Sequence, residues 1–213
     1  ALHNQSVAIG QNAEANSDWD VSIGRRAGAG TVTPAAEGRN IAIGDGALEK
    51  AVSPNNNIVM GTSAAAELTG NANVILGTYA NSKTANKEIN NVDRGVTASN
   101  VVAIGDRALA TSNSAVAIGN RVKASGAIAT AVGASANASG AYSISNGYGA
   151  TSSGSHSIAI GSAQNQTNKT PATQNFAIAI GSNQTAATGN SAIAVGTQSA
   201  AATENSIAIR NTA

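Results

Sequence analysis

The chain has 213 residues, of which 42% are apolar but only 2% aromatic and 11% charged. Aromatic rings supply much of the buried area of ordinary globular cores, so this composition predicts a thin, regular core of small and β-branched residues. The formal net charge of +1 argues against nucleic-acid binding, which needs a concentrated basic face, and the absence of cysteine excludes disulfides and thiolate metal sites.

A tetrad of apolar, small, apolar and Gly residues recurs from one end of the chain to the other, beginning with Val7-Ala8-Ile9-Gly10. A thirteenth copy, Ile207–Ile209, carries Arg210 where Gly is expected. The commonest interval, as from Gly105 to Gly119, gives a 14-residue repeat, and longer intervals indicate insertions. A fixed period is the signature of a repeat architecture. The tetrad glycines are Gly10, Gly24, Gly44, Gly61, Gly77, Gly105, Gly119, Gly133, Gly147, Gly161, Gly181 and Gly196.

Each repeat reads as strand, corner, strand, corner. The alternation within the tetrad has the period of a β-strand, and Gly permits a sharp corner. A second short strand is predicted around the small residues three and five positions after Gly, such as Ala136 and Ala138. Stacked repeats would pair like strands in two parallel sheets. We therefore predict an all-β parallel β-roll (solenoid) of about thirteen 14-residue repeats.

The orientation of the first strand is predicted by assuming that its larger side chains are buried. Residues of the Val7 and Ile9 type would then face inward, and the small residues between them would form a long, flat, apolar strip outside. Exposed apolar strips mark interfaces, and a closed ring of copies leaves no such surface open. The sequence does not decide which row faces the axis of such an assembly. The candidate interface strip is Ala8, Ser22, Ala42, Ala103, Ala117, Ala159, Ala179, Ala194 and Ala208.

The repeat resembles the YadA-like head of trimeric autotransporter adhesins of Gram-negative bacteria, most closely at Ser6-Val-Ala-Ile-Gly10 and Ser157-Ile-Ala-Ile-Gly161. The resemblance implies a left-handed, homotrimeric β-roll on the extracellular side of the outer membrane. It also implies binding to extracellular matrix proteins, host or bacterial surfaces or abiotic surfaces, with autoagglutination, and implies no cofactor. We expect residues 1–213 to be a single head, with the stalk and membrane anchor of the family outside them.

The insertions are the predicted places for recognition, because repeat proteins carry extra residues in surface loops. They lie near residues 29–39, 81–99 and 164–175. The longest is the only one with several charges, and it supplies the candidate ligand-binding residues, which are Lys83, Lys87, Glu88, Asp93 and Arg94. The alternative that these insertions are surface loops without a binding role stays open.

Three other functions compete with adhesion. A purely structural spacer would need no binding surface. A left-handed β-helix acyltransferase would need 18-residue coils and a catalytic His, whereas this chain has 14-residue repeats and only His3 and His156. Ice binding would need Thr at one repeat position, which is not observed. We predict no catalytic, cofactor or metal residues. Asn146 interrupts the apolar row. It forms either a polar ring at a subunit interface or a local relaxation of the packing, and the sequence favours neither.

Overall fold

The computed structural model describes residues 4–28, 38–52, 54–82, 96–163 and 169–210. These residues form strands and turns, and no helix, hence no helix able to cross a membrane, occurs among them. The chain divides into two compact units, Ala1–Ser114 and Ala115–Ala213. The predicted all-β parallel solenoid is confirmed.

The first unit contains six three-residue strands that pair in parallel in chain order. The register pairs each residue with the same position of the next repeat, for example Val7 with Val21 and Ile9 with Ile23. One two-residue strand, β7, follows. The strands are β1 Val7–Ile9, β2 Val21–Ile23, β3 Ile41–Ile43, β4 Ile58–Met60, β5 Val74–Leu76, β6 Val102–Ile104 and β7 Leu109–Ala110.

In the second unit, three-residue and two-residue strands alternate along the chain and form two parallel sheets. The predicted second short strand is therefore present in this unit, whereas the equivalent described residues in the first coils of the first unit form no strand. The three-residue strands are β8 Val116–Ile118, β10 Thr130–Val132, β12 Ile144–Asn146, β14 Ile158–Ile160, β16 Ile178–Ile180, β18 Ile193–Val195 and β20 Ile207–Ile209. The two-residue strands are β9 Lys123–Ala124, β11 Asn137–Ala138, β13 Thr151–Ser152, β15 Pro171–Ala172, β17 Ala186–Ala187 and β19 Ala200–Ala201.

The tetrad glycines allow the coils to stack closely. Gly133 has a φ of +117°, and a Cβ added to it would lie 2.7 Å from the carbonyl oxygen of Gly147 in the next coil. The other eleven tetrad glycines also have φ values between +102° and +155°. L-residues rarely adopt this conformation, so both the backbone angle and the missing side chain explain why Gly ends each tetrad.

The predicted orientation of the first strand is wrong. The small middle residue of the tetrad faces inward, and the flanking Val and Ile residues face outward. Ala8 and Ala208, at the two ends of the series, are half-buried. The other seven residues of the predicted outward strip are at most 3% exposed, namely Ser22, Ala42, Ala103, Ala117, Ala159, Ala179 and Ala194.

Coil size explains this inversion. A 14-residue coil encloses so little volume that Ala packs against Ala, as in the buried cluster that joins Ala159 and Ala179 to Ala172 and Ala187. Larger middle residues of the tetrad occur where the coils are longer. Val59 and Ile75 are fully buried in the first unit, where the intervals between successive tetrad glycines from Gly44 to Gly105 all exceed the 14-residue repeat. The two largest middle residues of the described tetrads therefore occur only in coils longer than the regular repeat.

A column of buried asparagines joins successive coils of the first unit. The Asn57 backbone N and Nδ2 both donate to Oδ1 of Asn40, at 3.1 Å each. Asn73 donates to Asn57 in the same way, at 3.0 Å, and Asn40 donates to Oδ1 of Asp20 at 2.9 and 3.1 Å. At the far end, the Val101 backbone N donates to Oδ1 of Asn73. Buried polar groups must be paired in this way, so the column fixes the stacking of these coils.

Replacing Asn57 by Leu should destabilise the first unit. The substitution removes the three hydrogen bonds of the Asn57 side chain. Oδ1 of Asn40 then keeps only the Asn57 backbone N as a donor from this coil, and the Asn73 backbone N and Nδ2 lose their acceptor. We expect the free energy of unfolding to fall by roughly 2–4 kcal/mol, measured by urea denaturation. Asn56→Gly is the control, because Asn56 is exposed with a φ of +56° that Gly adopts freely. Equal stability of the Asn57 variant and the control would contradict the role of the column.

Candidate binding surfaces

The outer face of the three-residue strands is a continuous apolar surface within each unit. Its two rows are the first and third residues of each strand, and we call it the sheet face. In the second unit, the first row is Val116, Thr130, Ile144, Ile158, Ile178, Ile193 and Ile207. The third row is Ile118, Val132, Asn146, Ile160, Ile180, Val195 and Ile209. Every one of these residues is half-buried or exposed. Extended apolar patches of this kind mark interaction surfaces.

A second surface lies at the turn that precedes each three-residue strand. One residue of this turn has a left-handed backbone in every coil, with φ values of +55°, +58°, +57° and +57° at Ile128, Tyr142, His156 and Phe176. Its backbone N donates to the preceding coil, as from Tyr142 to the Ala127 carbonyl at 2.8 Å. Side chains at this position therefore lie above one another in register.

Three of these side chains form a stacked column that we call the aromatic row. The ring centroids of Tyr142 and His156 are 4.8 Å apart with planes 15° apart, and those of His156 and Phe176 are 5.2 Å apart with planes 16° apart. Tyr142 is 52% and Phe176 55% exposed. Nδ1 of His156 lies 2.9 Å from Oγ of Ser155. The row thus presents ring edges to solvent in a fixed arrangement.

The aromatic row makes no contribution to the core. The structure describes all five Trp, Tyr and Phe residues of the chain, and none of them is buried. The row lies in a segment with no formal charge between Lys123 and Lys169. The row was not predicted from the sequence, although each member precedes its tetrad Gly by five residues. The 20-residue spacing between His156 and Phe176 hid this common phase.

The first unit carries most of the charge. Arg25 Nη2 lies 2.6 Å from Oδ2 of Asp45, and Arg26 Nη1 lies 3.3 Å from Oε1 of Glu49. The guanidinium of Arg39 lies 5.1 Å from the Trp19 ring. Because exposed ion pairs contribute little stability and the two signs are balanced here, this cluster is a mixed surface and does not select for ligand charge.

The candidate ligand-binding residues Lys83, Lys87, Glu88, Asp93 and Arg94 lie outside the described residues. The ends of their insertion are anchored, since the Ala110 backbone N donates to Oδ1 of Asn81 at 2.7 Å and Val96 and Ala98 are buried. Of the insertion near 29–39, only Gly38 and Arg39 are described. The insertion near 164–175 is shorter than predicted, because Pro171–Ala172 forms β15 and pairs with Thr151–Ser152.

No metal site is built from the described residues. They contain no group of three or more His, Cys, Asp or Glu residues that could hold a metal ion. Desolvation by partial burial lowers the pKa of Lys123 below its ordinary value. Lys123 lies in β9 beside Asn137 of β11, where its charged form is disfavoured.

Replacing Lys123 by Met should therefore stabilise the second unit at neutral pH. Because the pKa of Lys123 is lower in the folded state, the unfolded chain binds more protons than the folded chain at pH values between the folded and the unfolded pKa. Stability therefore rises with pH in that window. The destabilisation is thus full at neutral pH and is lost as the pH rises through that window. We expect a higher melting temperature for the variant at pH 7 and a smaller difference near pH 10. An unchanged difference across this range would contradict the desolvation of Lys123.

The fold and these surfaces define a parallel β-solenoid repeat protein with a thin alanine core and an exposed aliphatic sheet face. The family model described as "YadA head domain repeat" matches residues 4–27, 102–121, 124–150, 138–163 and 187–209, which together make up half of the chain. The chain belongs to the YadA head domain repeat family.

A solved structure to which this chain is similar is the collagen-binding domain of the Yersinia adhesin YadA. It is 24% identical to this chain, covers 74% of this chain and 80% of its own length, and has a TM-score of 0.49. No curated protein matches this chain significantly.

Proposed function

We propose that this chain is the head of a bacterial surface adhesin and acts as a homotrimer. The family, which consists of non-enzymatic surface proteins, supports an adhesin role in general and an extracellular position on the bacterial surface. The observation that supports the proposed homotrimer is the exposed sheet face. We further propose that the whole chain acts as a single head, anchored to the outer membrane through segments outside these 213 residues.

A second copy of this chain is the partner that fits the sheet face. The face repeats Val or Ile at nearly every coil, with strands about 4.8 Å apart, and another copy carries the same rows at the same period. The thin core of each coil buries little apolar area, so the single chain lacks the stabilisation that a larger core supplies. A closed ring covers the face of every copy and leaves none open.

The aromatic row is the described surface best suited to contact a target. It combines rigid Tyr and Phe rings with neighbouring Ser and Asn residues, a composition shared with antibody paratopes, in which aromatic rings anchor and small polar groups adapt. Its uncharged surroundings favour a neutral target surface. Three copies per head and many heads per cell would strengthen weak contacts by avidity.

The proposed targets are extracellular matrix proteins, host or bacterial cells and abiotic surfaces, and contacts between heads would cause autoagglutination. The insertion that carries Lys83, Lys87 and Arg94 is a second proposed contact region. The alternative is that the chain only spaces other parts of a fibre. A spacer would bind no target, and substitutions on its surface would not change adhesion.

An adhesion assay separates the two functions. Beads coated with the chain are tested on a panel of purified matrix proteins and on polystyrene. We expect adhesion that falls at least fivefold when Tyr142 and Phe176 are replaced by Ser. The control is Tyr148→Ser, which changes an exposed Tyr outside the row. Replacing Lys83, Lys87 and Arg94 by Ser tests the insertion without removing the buried Asn81. Absence of adhesion to every surface would favour the spacer.

A further inference from the structure

Asn146 is the only amide side chain in the sheet face of the second unit. It is the third residue of β12 and pairs in register with Val132 and Ile160 on the two sides. Its side chain is exposed and makes no hydrogen bond to any residue that the structure describes. Thr130 is the other polar residue among the fourteen positions of the two rows in this unit. An unpaired amide in an apolar face needs a partner when that face is covered.

The uniformity of the sheet face creates a problem for self-assembly. Two copies shifted by one coil, or about 4.8 Å, still place Val or Ile against Val or Ile at nearly every position. Pairing along such a repetitive surface is weakly specified. If only shape and apolar area mattered, the aligned assembly would be more stable than a shifted one only by the burial of the coils that the shift uncovers at the two ends.

We propose that Asn146 sets the register in which copies of this chain align. In the aligned assembly, the Asn146 side chains of all copies lie at the same height and hydrogen-bond to one another. A shift by one coil places each amide against Val132 or Ile160 of its neighbour, where a buried polar group loses its partners. A single polar residue in an apolar seam fixes register in coiled coils by the same energetics. This inference rests on the proposed self-assembly.

Moving the asparagine by one coil tests the proposal. The variant N146I/I160N keeps the composition of the face but carries its amide in β14. Wild-type and variant chains bear different affinity tags, are co-refolded from denaturant in equal amounts, and are purified on one tag. We expect each chain to co-assemble freely with a differently tagged copy of itself. Mixed assemblies of wild type with the variant either bury unpaired amides or shift by one coil and leave a coil uncovered at each end. They should therefore be at least tenfold rarer than random mixing gives.

The outcomes separate this inference from the proposed function. Wild-type chains that fail to co-assemble with one another would overturn the assembly itself. Wild-type chains that co-assemble with one another and mix randomly with N146I/I160N would leave the assembly intact and overturn the role of Asn146. Circular dichroism verifies folding of each chain. If I160N prevents folding, N146I/V132N moves the amide one coil in the other direction and carries the same expectation.

Discussion

Gly133→Ala should unfold the second unit at much lower urea concentration than the wild type. The φ of +117° at this residue is strained for Ala, and the added Cβ would lie 2.7 Å from the carbonyl oxygen and 2.8 Å from the carbonyl carbon of Gly147. Backbone atoms of the neighbouring coil cannot move away without breaking the parallel pairing of β10 with β12. We expect a loss of roughly 3–5 kcal/mol in the free energy of unfolding.

Gly149→Asn is the matched control for this prediction. Gly149 also has a positive φ, of +67°, but this lies in the left-handed region that Asn tolerates. Its added Cβ would meet only the Cβ of Ala163, at 3.2 Å. We expect a change of less than about 1 kcal/mol. Similar urea midpoints for the two variants would show that coil stacking does not depend on the tetrad glycines.

Ile180→Glu should abolish self-association while leaving the single chain folded. Ile180 is 39% exposed in the single chain, so a glutamate there remains hydrated before assembly. In the assembled state the carboxylate would be buried against apolar rows, at a cost of several kcal/mol per charge. We expect the association constant to fall by at least a thousandfold, measured by sedimentation velocity over a range of concentrations.

The control for this change is Gln174→Glu, which adds the same charge at an exposed position outside the sheet face. It should associate like the wild type, and both variants should retain the wild-type circular dichroism spectrum. Unchanged association of the Ile180 variant would mean that the sheet face is not the surface on which copies meet.

The positions of the three-residue strands could be predicted from the sequence because each tetrad specifies a strand and its corner locally. The alternation of Val, Ala and Ile has period two, and Gly follows at a fixed place, so all thirteen predicted tetrads correspond to strands among the described residues. The second short strand was less predictable. Apart from Thr151, its residues, such as Asn137 and Ala138, carry no β-branched side chains, and they pair only because the coils stack.

The orientation of the strands could not be read from alternation alone. Both faces are apolar, and the usual assumption that larger aliphatic residues are buried assigns Val and Ile to the inside. The space between the two sheets decides otherwise, and that space depends on the whole coil. Val59 and Ile75 carried the relevant signal, because large middle residues occur only in coils that are longer than the regular repeat.

The candidate surfaces were predicted only in part. An exposed apolar strip along the first strand was predicted, but on the wrong face. Ile158 and Ile160, which flank Ala159, belong to the observed strip. The aromatic row depends on stacking across coils of different length and is visible only when residues are counted backward from each Gly. The residues of the charged insertion lie outside the described part of the chain, and their role stays a prediction.

The stoichiometry of the unmodified chain is the most direct test of the trimeric head. Each chain has a mass of 20.8 kDa, and native mass spectrometry at micromolar concentration resolves one, two, three or more copies. A sheet face covered by two further copies predicts a dominant species of three chains, which dissociates to folded single chains on dilution. A dominant single chain at the same concentration, or a species of any other number of chains, would contradict the trimeric head.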